Sequence, residues 1–164
     1  MNILTSERLD EICAMIVDNA SGQPMLHAYL MFLYNTGCRP SEPLTPSCFL
    51  GYTDTHLILQ PLKKNLPRHI EKRLVPPSIF STINNNQSVM TLKDYETALN
   101  RFKKLKPISM TMTNVKKSEL YLFRYNYVRQ LYLDGLTVPQ IQTHMGWKNE
   151  SIVTRYLNTN IFIN

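Results

Sequence analysis

Cysteine is scarce in this 164-residue sequence: only Cys13, Cys38 and Cys48 occur. Their spacing fits no metal-ligand pattern, and an odd number does not build a disulfide framework, so reduced thiols in a cytoplasmic setting are the expectation. No apolar run reaches membrane-spanning length. The opening MNILTSERLDEI has acidic residues where a secretory leader has a long apolar core, which predicts no such leader. The chain also lacks an internal repeat, a heptad array and a glycine-rich phosphate loop. Acidic residues are the minority, 12 Asp and Glu against 18 Lys and Arg, giving a net charge of +6 and a pI near 9.3. That balance favours a polyanionic partner. What is plentiful is apolar and aromatic material, 43% and 10% of residues, enough for one domain around one core.

In chain order, Thr5 or Ser6 is placed to cap a helix whose apolar face is Leu9, Ile12, Cys13, Ile16 and Val17. A second, largely buried helix is predicted from about Pro24 to Thr36 and stops at Gly37. Arg39 then falls at a helix-to-helix junction, CRPSEPL, where Pro40 and Ser41 start a short turn of helix with Glu42 in its first turn. Between His56 and Pro77 the pattern changes to strand. HLILQPLKK and IEKRLVPP read as the two arms of a hairpin and NLPRH as its turn, with Lys63 and Lys64 where the first arm enters it. SIFSTIN reads as a short helix and NNNQS as an exposed loop. Thr91 and Asp94 make a capping-box-like start for a helix carrying Leu92, Tyr95, Leu99, Phe102 and Leu105. Its other face, Lys93, Arg101, Lys103, Lys104 and Lys106, continues into Lys116 and Lys117 and is suited to meet phosphates. KPISMTMTNV reads as a polar, irregular link.

The stretch from Glu119 to Leu157 organises the rest. Leu120, Phe123, Tyr127, Val128 and Leu131 recur at helical steps, and Arg124 lies close to that apolar face, where a guanidinium needs an anion. Gly135 ends this helix, Thr137 caps a short one with Pro139 in its first turn, and Gly146 ends that in turn. Trp147 comes next, and Tyr156 stands nine residues later on a last helical segment. The expected fold class is mainly α with a small antiparallel β-hairpin or sheet (α+β).

TGCRPSE, the lysine-bearing hairpin, the helical arginine, IQTHMGW and the late tyrosine occur in an order that resembles the tyrosine recombinases, or phage-type integrases. That family's motifs read TGxRxxE, HxLRH, LGH or LGW, and a final tyrosine; the resemblance runs from about Leu4 to Leu157. It implies the recombinase catalytic-domain fold, without the family's amino-terminal core-binding domain. It also implies site-specific cleavage and rejoining of double-stranded DNA through a 3′-phosphotyrosyl intermediate, chemistry like that of type IB topoisomerases, with no metal and no cofactor. Self-association as a dimer or tetramer on DNA is implied too, as is a bacterial, phage or mobile-element origin with a place at the nucleoid. By resemblance, Arg39 and Arg124 neutralise the phosphate, with Glu42 in support. Lys63 is the general acid, with Lys64 as the alternative because the hairpin register is open. Trp147 contacts a phosphate oxygen, and Tyr156 is the nucleophile.

Tyr121 departs from the pattern, standing where most relatives carry the first histidine of HxLRH. A phenol with a pKa near 10 is a poor base at neutral pH but a serviceable hydrogen-bond donor. Tyrosine at this place is also similar to the hairpin-forming telomere resolvases. Two rival functions remain: a DNA-binding or architectural module that keeps the fold without the chemistry, and a protein-interaction domain, which leaves the conjunction of motifs unexplained. A covalent protein–DNA adduct separates them.

Overall fold

Thr5 starts the first helix through its hydroxyl, which accepts the Arg8 N–H at 3.1 Å. Helix α1 (Ser6–Asn19) buries Leu9, Ile12, Cys13, Ile16 and Val17, the face read from the sequence. Helix α2 (Pro24–Thr36) has Pro in its first turn and ends at Gly37, whose φ of +63° is the left-handed conformation that closes a helix. No side chain fits at Gly37, because a Cβ there would lie 2.4 Å from Cδ1 of Tyr127. The computed structural model describes residues 2–63, 65–85, 96, 97, 100, 101, 104, 110–112 and 119–163. Lys64, Lys93, Lys103, Lys106, Lys116, Lys117 and the Thr91–Asp94 cap lie outside them.

After Arg39 a single 3-10 turn (Glu42–Leu44) and a second (Pro46–Cys48) lead into an antiparallel sheet of β2 (Phe49–Tyr52), β3 (His56–Leu59) and β4 (Arg68–Glu71). The sequence predicted two arms; the structure has three, with β2 paired to β3 across a register irregularity between Phe49 and Gly51. The second arm is also shorter and earlier than expected. Arg68 and His69, assigned to the turn, are strand residues opposite Leu59 and Ile58, and Lys72–Leu74 form a 3-10 turn. Pro67 marks the boundary: it cannot donate to a ladder, so pairing begins at the next residue. Helix α3 (Pro77–Asn84) comes next, as predicted.

A second sheet, in the order β1-β6-β5, joins β1 (Asn2–Ile3), β6 (Ile161–Ile163) and β5 (Met110–Met112), all antiparallel. The sequence reading had the β5 residues in an irregular link and assigned no strand to the last residues. Both contain strands of only three residues, too short for an alternating pattern to show.

A 3-10 turn (Glu119–Tyr121) opens α4 (Leu122–Leu133), followed by α5 (Val138–His144) and α6 (Glu150–Asn158). Thr137 and Gln140 form a reciprocal capping box at α5. Helix α4 packs on α1, α2 and α6, and Asp10 of α1 accepts hydrogen bonds from Tyr34 of α2 and Asn126 of α4, both at 2.9 Å. The core therefore lies where α4 meets these three helices, with Arg124 at its edge. Among the described residues no helix is long and apolar enough to cross a membrane.

Candidate active site

Arg39 stands just past the α2 terminus, and Glu42 holds it there. One Glu42 carboxylate oxygen accepts the Arg39 backbone N–H at 2.5 Å, and the other accepts the Leu62 N–H at 2.9 Å and lies 3.7 Å from Nη1 of Arg39. Glu42 is fully buried, so its charge is satisfied by fixing two backbone segments as much as by the ion pair. Nη1 of Arg39 also donates to the Leu62 carbonyl at 3.3 Å. Thus the loop between β3 and β4 is fastened at Leu62 to the same two residues that shape the arginine junction.

Arg124 projects from α4 into the same place. Nε donates to the Tyr156 hydroxyl at 2.9 Å, Nη1 donates to the Gly37 carbonyl at 2.8 Å, and the residue is 1% exposed. Its guanidinium carbon lies 5.1 Å from the Trp147 ring centre and 5.5 Å from that of Tyr156. Trp147 and Tyr156 stack on each other at 5.0 Å and 26°. Tyr125, one residue past Arg124 on α4, covers Tyr156 with its ring centre 4.5 Å away. Gly146 places Trp147: it has φ +70°, and a Cβ on it would lie 2.2 Å from the Leu66 carbonyl oxygen.

The electrostatics reflect two cations in little solvent. Burial first, and the nearby Arg124 charge second, hold the Arg39 guanidinium below its ordinary pKa. Burial pushes the half-buried Tyr121 phenol up, opposed by Arg39 and reinforced by Tyr156. Tyr121 therefore stays a phenol at neutral pH and a donor rather than a base. Tyr125 is pushed up as well, by burial and then by Tyr156. Two adjoining guanidiniums in a closed site are suited to bind a doubly coordinated oxyanion.

Of the residues singled out in the sequence, Arg39, Glu42, Tyr121, Arg124, Trp147 and Tyr156 converge here. Lys63 is next to the site by backbone, directly after Leu62, with its side chain exposed. Its φ of +63° is left-handed, a strained state for a residue with a Cβ. Arg101 and Lys104 are exposed helical residues away from this cluster, and Arg101 donates to Gln23 at 2.6 Å. Among the described residues no group of His, Cys, Asp and Glu is arranged to hold a metal.

Sequence reasoning missed Arg68. It is 3% exposed, donates from Nη2 to the Thr36 carbonyl at 2.6 Å and from Nε to the His144 carbonyl at 3.1 Å. The Tyr127 ring lies 5.9 Å from its guanidinium carbon, and the Tyr127 hydroxyl is 2.6 Å from Nε2 of His144. Its alternation with Ile70, both on the inward face of β4, is the only trace it leaves in the sequence.

At the level of sequence, no family model and no curated protein matches this chain. Structures do. A lambda integrase dimer bound to a COC′ core site aligns over 94% of this chain and 58% of its own, with TM-score 0.62 at 14% identity. XerA recombinase aligns over 90% and 58%, with TM-score 0.62 at 12% identity. A lambda integrase tetramer bound to a Holliday junction aligns over 94% and 47%, with TM-score 0.60 at 15% identity. The chain spans about half to three-fifths of the length of these proteins. With two guanidiniums, an indole and a tyrosine gathered at the meeting of α2, α4 and α6, this chain has the tyrosine recombinase catalytic-domain fold.

Proposed function

We propose that this chain is the catalytic domain of a tyrosine recombinase that cleaves and rejoins DNA through a 3′-phosphotyrosyl intermediate. The observation that carries the reading is the 2.9 Å bond from Nε of Arg124 to the Tyr156 hydroxyl, with Arg39 beside it. It supports the reading because a tyrosine oxygen and two guanidiniums share one site.

The chemistry runs through these side chains together with Lys63 and Tyr121. A phosphodiester entering between Arg39 and Arg124 takes guanidinium donors on its two non-bridging oxygens, where charge grows during attack. The Tyr156 oxygen bonds to phosphorus and its proton passes to solvent. The bond from phosphorus to the 5′-oxygen breaks, and that oxygen takes a proton from Lys63. Rejoining is the reverse, with a DNA hydroxyl attacking the tyrosyl ester. Tyr121, kept protonated, donates a hydrogen bond at the phosphate in place of the usual histidine. Double-stranded DNA is the partner, and assembly into dimers or tetramers on it is in keeping with the DNA-bound integrase structures of similar fold.

The test is a duplex with a nick near the cleavage position, from which the short 5′-hydroxyl product diffuses away and traps the intermediate. Wild type should form a covalent adduct, and Tyr156→Phe should form none while binding DNA equally well. An adduct that survives in the Phe variant would place the nucleophile elsewhere, with Tyr125 first in line. The pushed-up phenol of Tyr121 favours a second reading, a DNA-binding module without chemistry. Salt-sensitive DNA binding with no adduct from wild type would select it.

A further inference from the structure

A buried cation without a carboxylate is costly, and Arg68 is one. Among the described residues no acidic side chain forms an ion pair with it, and its Nη1 has no hydrogen-bond partner. Burial accordingly holds its guanidinium below the ordinary pKa. An apolar side chain of similar volume would avoid that desolvation cost. What an apolar residue cannot do is donate in two fixed directions at once. Arg68 spends those donors on carbonyls of two separate elements, Thr36 at the end of α2 and His144 at the end of α5.

The place of Arg68 in the sheet gives that grip a purpose. Arg68 pairs with Leu59 as the last rung before the loop that carries Lys63. One root of this loop is fastened at Leu62 to Arg39 and Glu42. Near the other root, the Leu66 N–H donates to the Gly146 carbonyl at 2.8 Å, and Arg68 binds His144 two residues before that glycine. Inside the loop, Asn65 and Gln60 close on Leu62 and Asn65 carbonyls at 3.0 and 2.7 Å. The second root is therefore tied to the turn that sets Trp147, and through Thr36 to the helix end whose next carbonyl, Gly37, receives Arg124.

We propose that Arg68 is a positioning residue that holds the β3–β4 loop, and with it Lys63, in register with the Arg39, Arg124 and Tyr156 centre. This rests on the recombinase reading. Arg68 touches neither DNA nor the reacting atoms; it acts through Lys63 by fixing where the lysine's backbone starts. A loop that shifts by about 1 Å carries its general acid out of reach and slows the reaction by roughly 100-fold.

The experiment compares ordinary DNA with DNA whose bridging 5′-oxygen at the cleavage position is sulfur. A thiolate leaves without a proton, so a defect confined to proton delivery disappears on sulfur. Arg68→Met should cleave ordinary DNA about 100-fold more slowly than wild type and return to within a few-fold of it on the sulfur substrate. Adding Lys63→Ala to Arg68→Met should cost nothing more, since both remove one function. Arg68→Lys keeps a cation but cannot span both carbonyls, and should show the same sulfur-selective defect if the Met variant does not fold. Equal loss on both substrates in a folded Arg68 variant, while wild type cleaves both, would overturn the positioning role alone. If wild type cleaves neither, the recombinase reading falls and takes this role with it.

Discussion

Arg124 and Arg68 end on neighbouring carbonyls of one helix terminus, Gly37 and Thr36, and each guanidinium lies against aromatic rings. They differ in their second partner. Arg124 gives its other donor to the Tyr156 hydroxyl, a side-chain group that in the proposed reaction turns to phosphorus and leaves Nε to a phosphate oxygen. Arg68 gives its other donor to the His144 main-chain carbonyl, which nothing in the proposed reaction asks to move. On that proposal the same chemistry produces an exchangeable cation in one region and a sealed one in the other. The function of a buried arginine is to be read from whether its partners can leave.

The largest effect that tests this comparison is expected at Arg124. Arg124→Lys keeps the charge and loses the fork, so single-turnover cleavage should drop about 1,000-fold, the loss typical of removing a preorganised oxyanion donor. Sulfur at the 5′ position should restore little, because the missing stabilisation belongs to the non-bridging oxygens. Recovery on sulfur would make Arg124 resemble Arg68 and erase the distinction. Next comes Lys63→Ala, with a loss of about 100-fold on ordinary DNA and recovery on sulfur. Lys64→Ala is its control: recovery there instead would move the general acid by one residue.

A smaller effect, on stability rather than rate, is expected where the two regions touch. Gly146→Ala must place a Cβ against the Leu66 carbonyl at 2.2 Å, with φ at +70° and backbone that cannot step aside. A loss of about 3 kcal/mol is expected, from left-handed strain and the clash together. Gly135→Ala, at φ +97° with open space around it, should lose only about 1 kcal/mol. Urea midpoints of the two variants measure the difference. Equal midpoints would mean that the hairpin is not pressed against the Trp147 turn.

The regions also differ in how far the sequence discloses them. Helix ends are written locally: Thr5, Gly37, Gly135, Thr137 and Gly146 each act within a turn of themselves, and all five stand where the sequence puts them. The spacing from Trp147 to Tyr156 is likewise a matter of one turn and one helix. The sheets depend on distant partners. Asn2 pairs with Ile163, and no pattern in two or three residues announces a partner at the opposite end of the chain. Arg68 was hidden for the same reason. In a stretch of turn residues it looks solvated, and only the register with Leu59 turns it inward.

The smallest expected effect is a pH dependence that belongs to the Arg68 region alone. The His144 ring nitrogen Nε2 is bonded to the Tyr127 hydroxyl, which suits a neutral imidazole accepting from a phenol. His144 is exposed as a residue, yet partial desolvation of its ring first, and the Arg68 cation second, push its pKa from 6.5 down to about 4, with Glu71 opposing. Tyr127 itself is pushed up by burial and remains a donor. The sign is set by which state binds the proton more readily. Between about pH 6.5 and 4 the unfolded chain protonates this histidine and the folded chain does not, so the contribution is intact above that range and is lost as pH falls through it. Urea midpoints of wild type and His144→Gln, an uncharged acceptor, should therefore run parallel above pH 7 and diverge below pH 6.5, wild type falling faster. Identical slopes in wild type and His144→Gln would detach this histidine from the clasp and leave Arg68 to hold the loop through Thr36 and the His144 carbonyl alone.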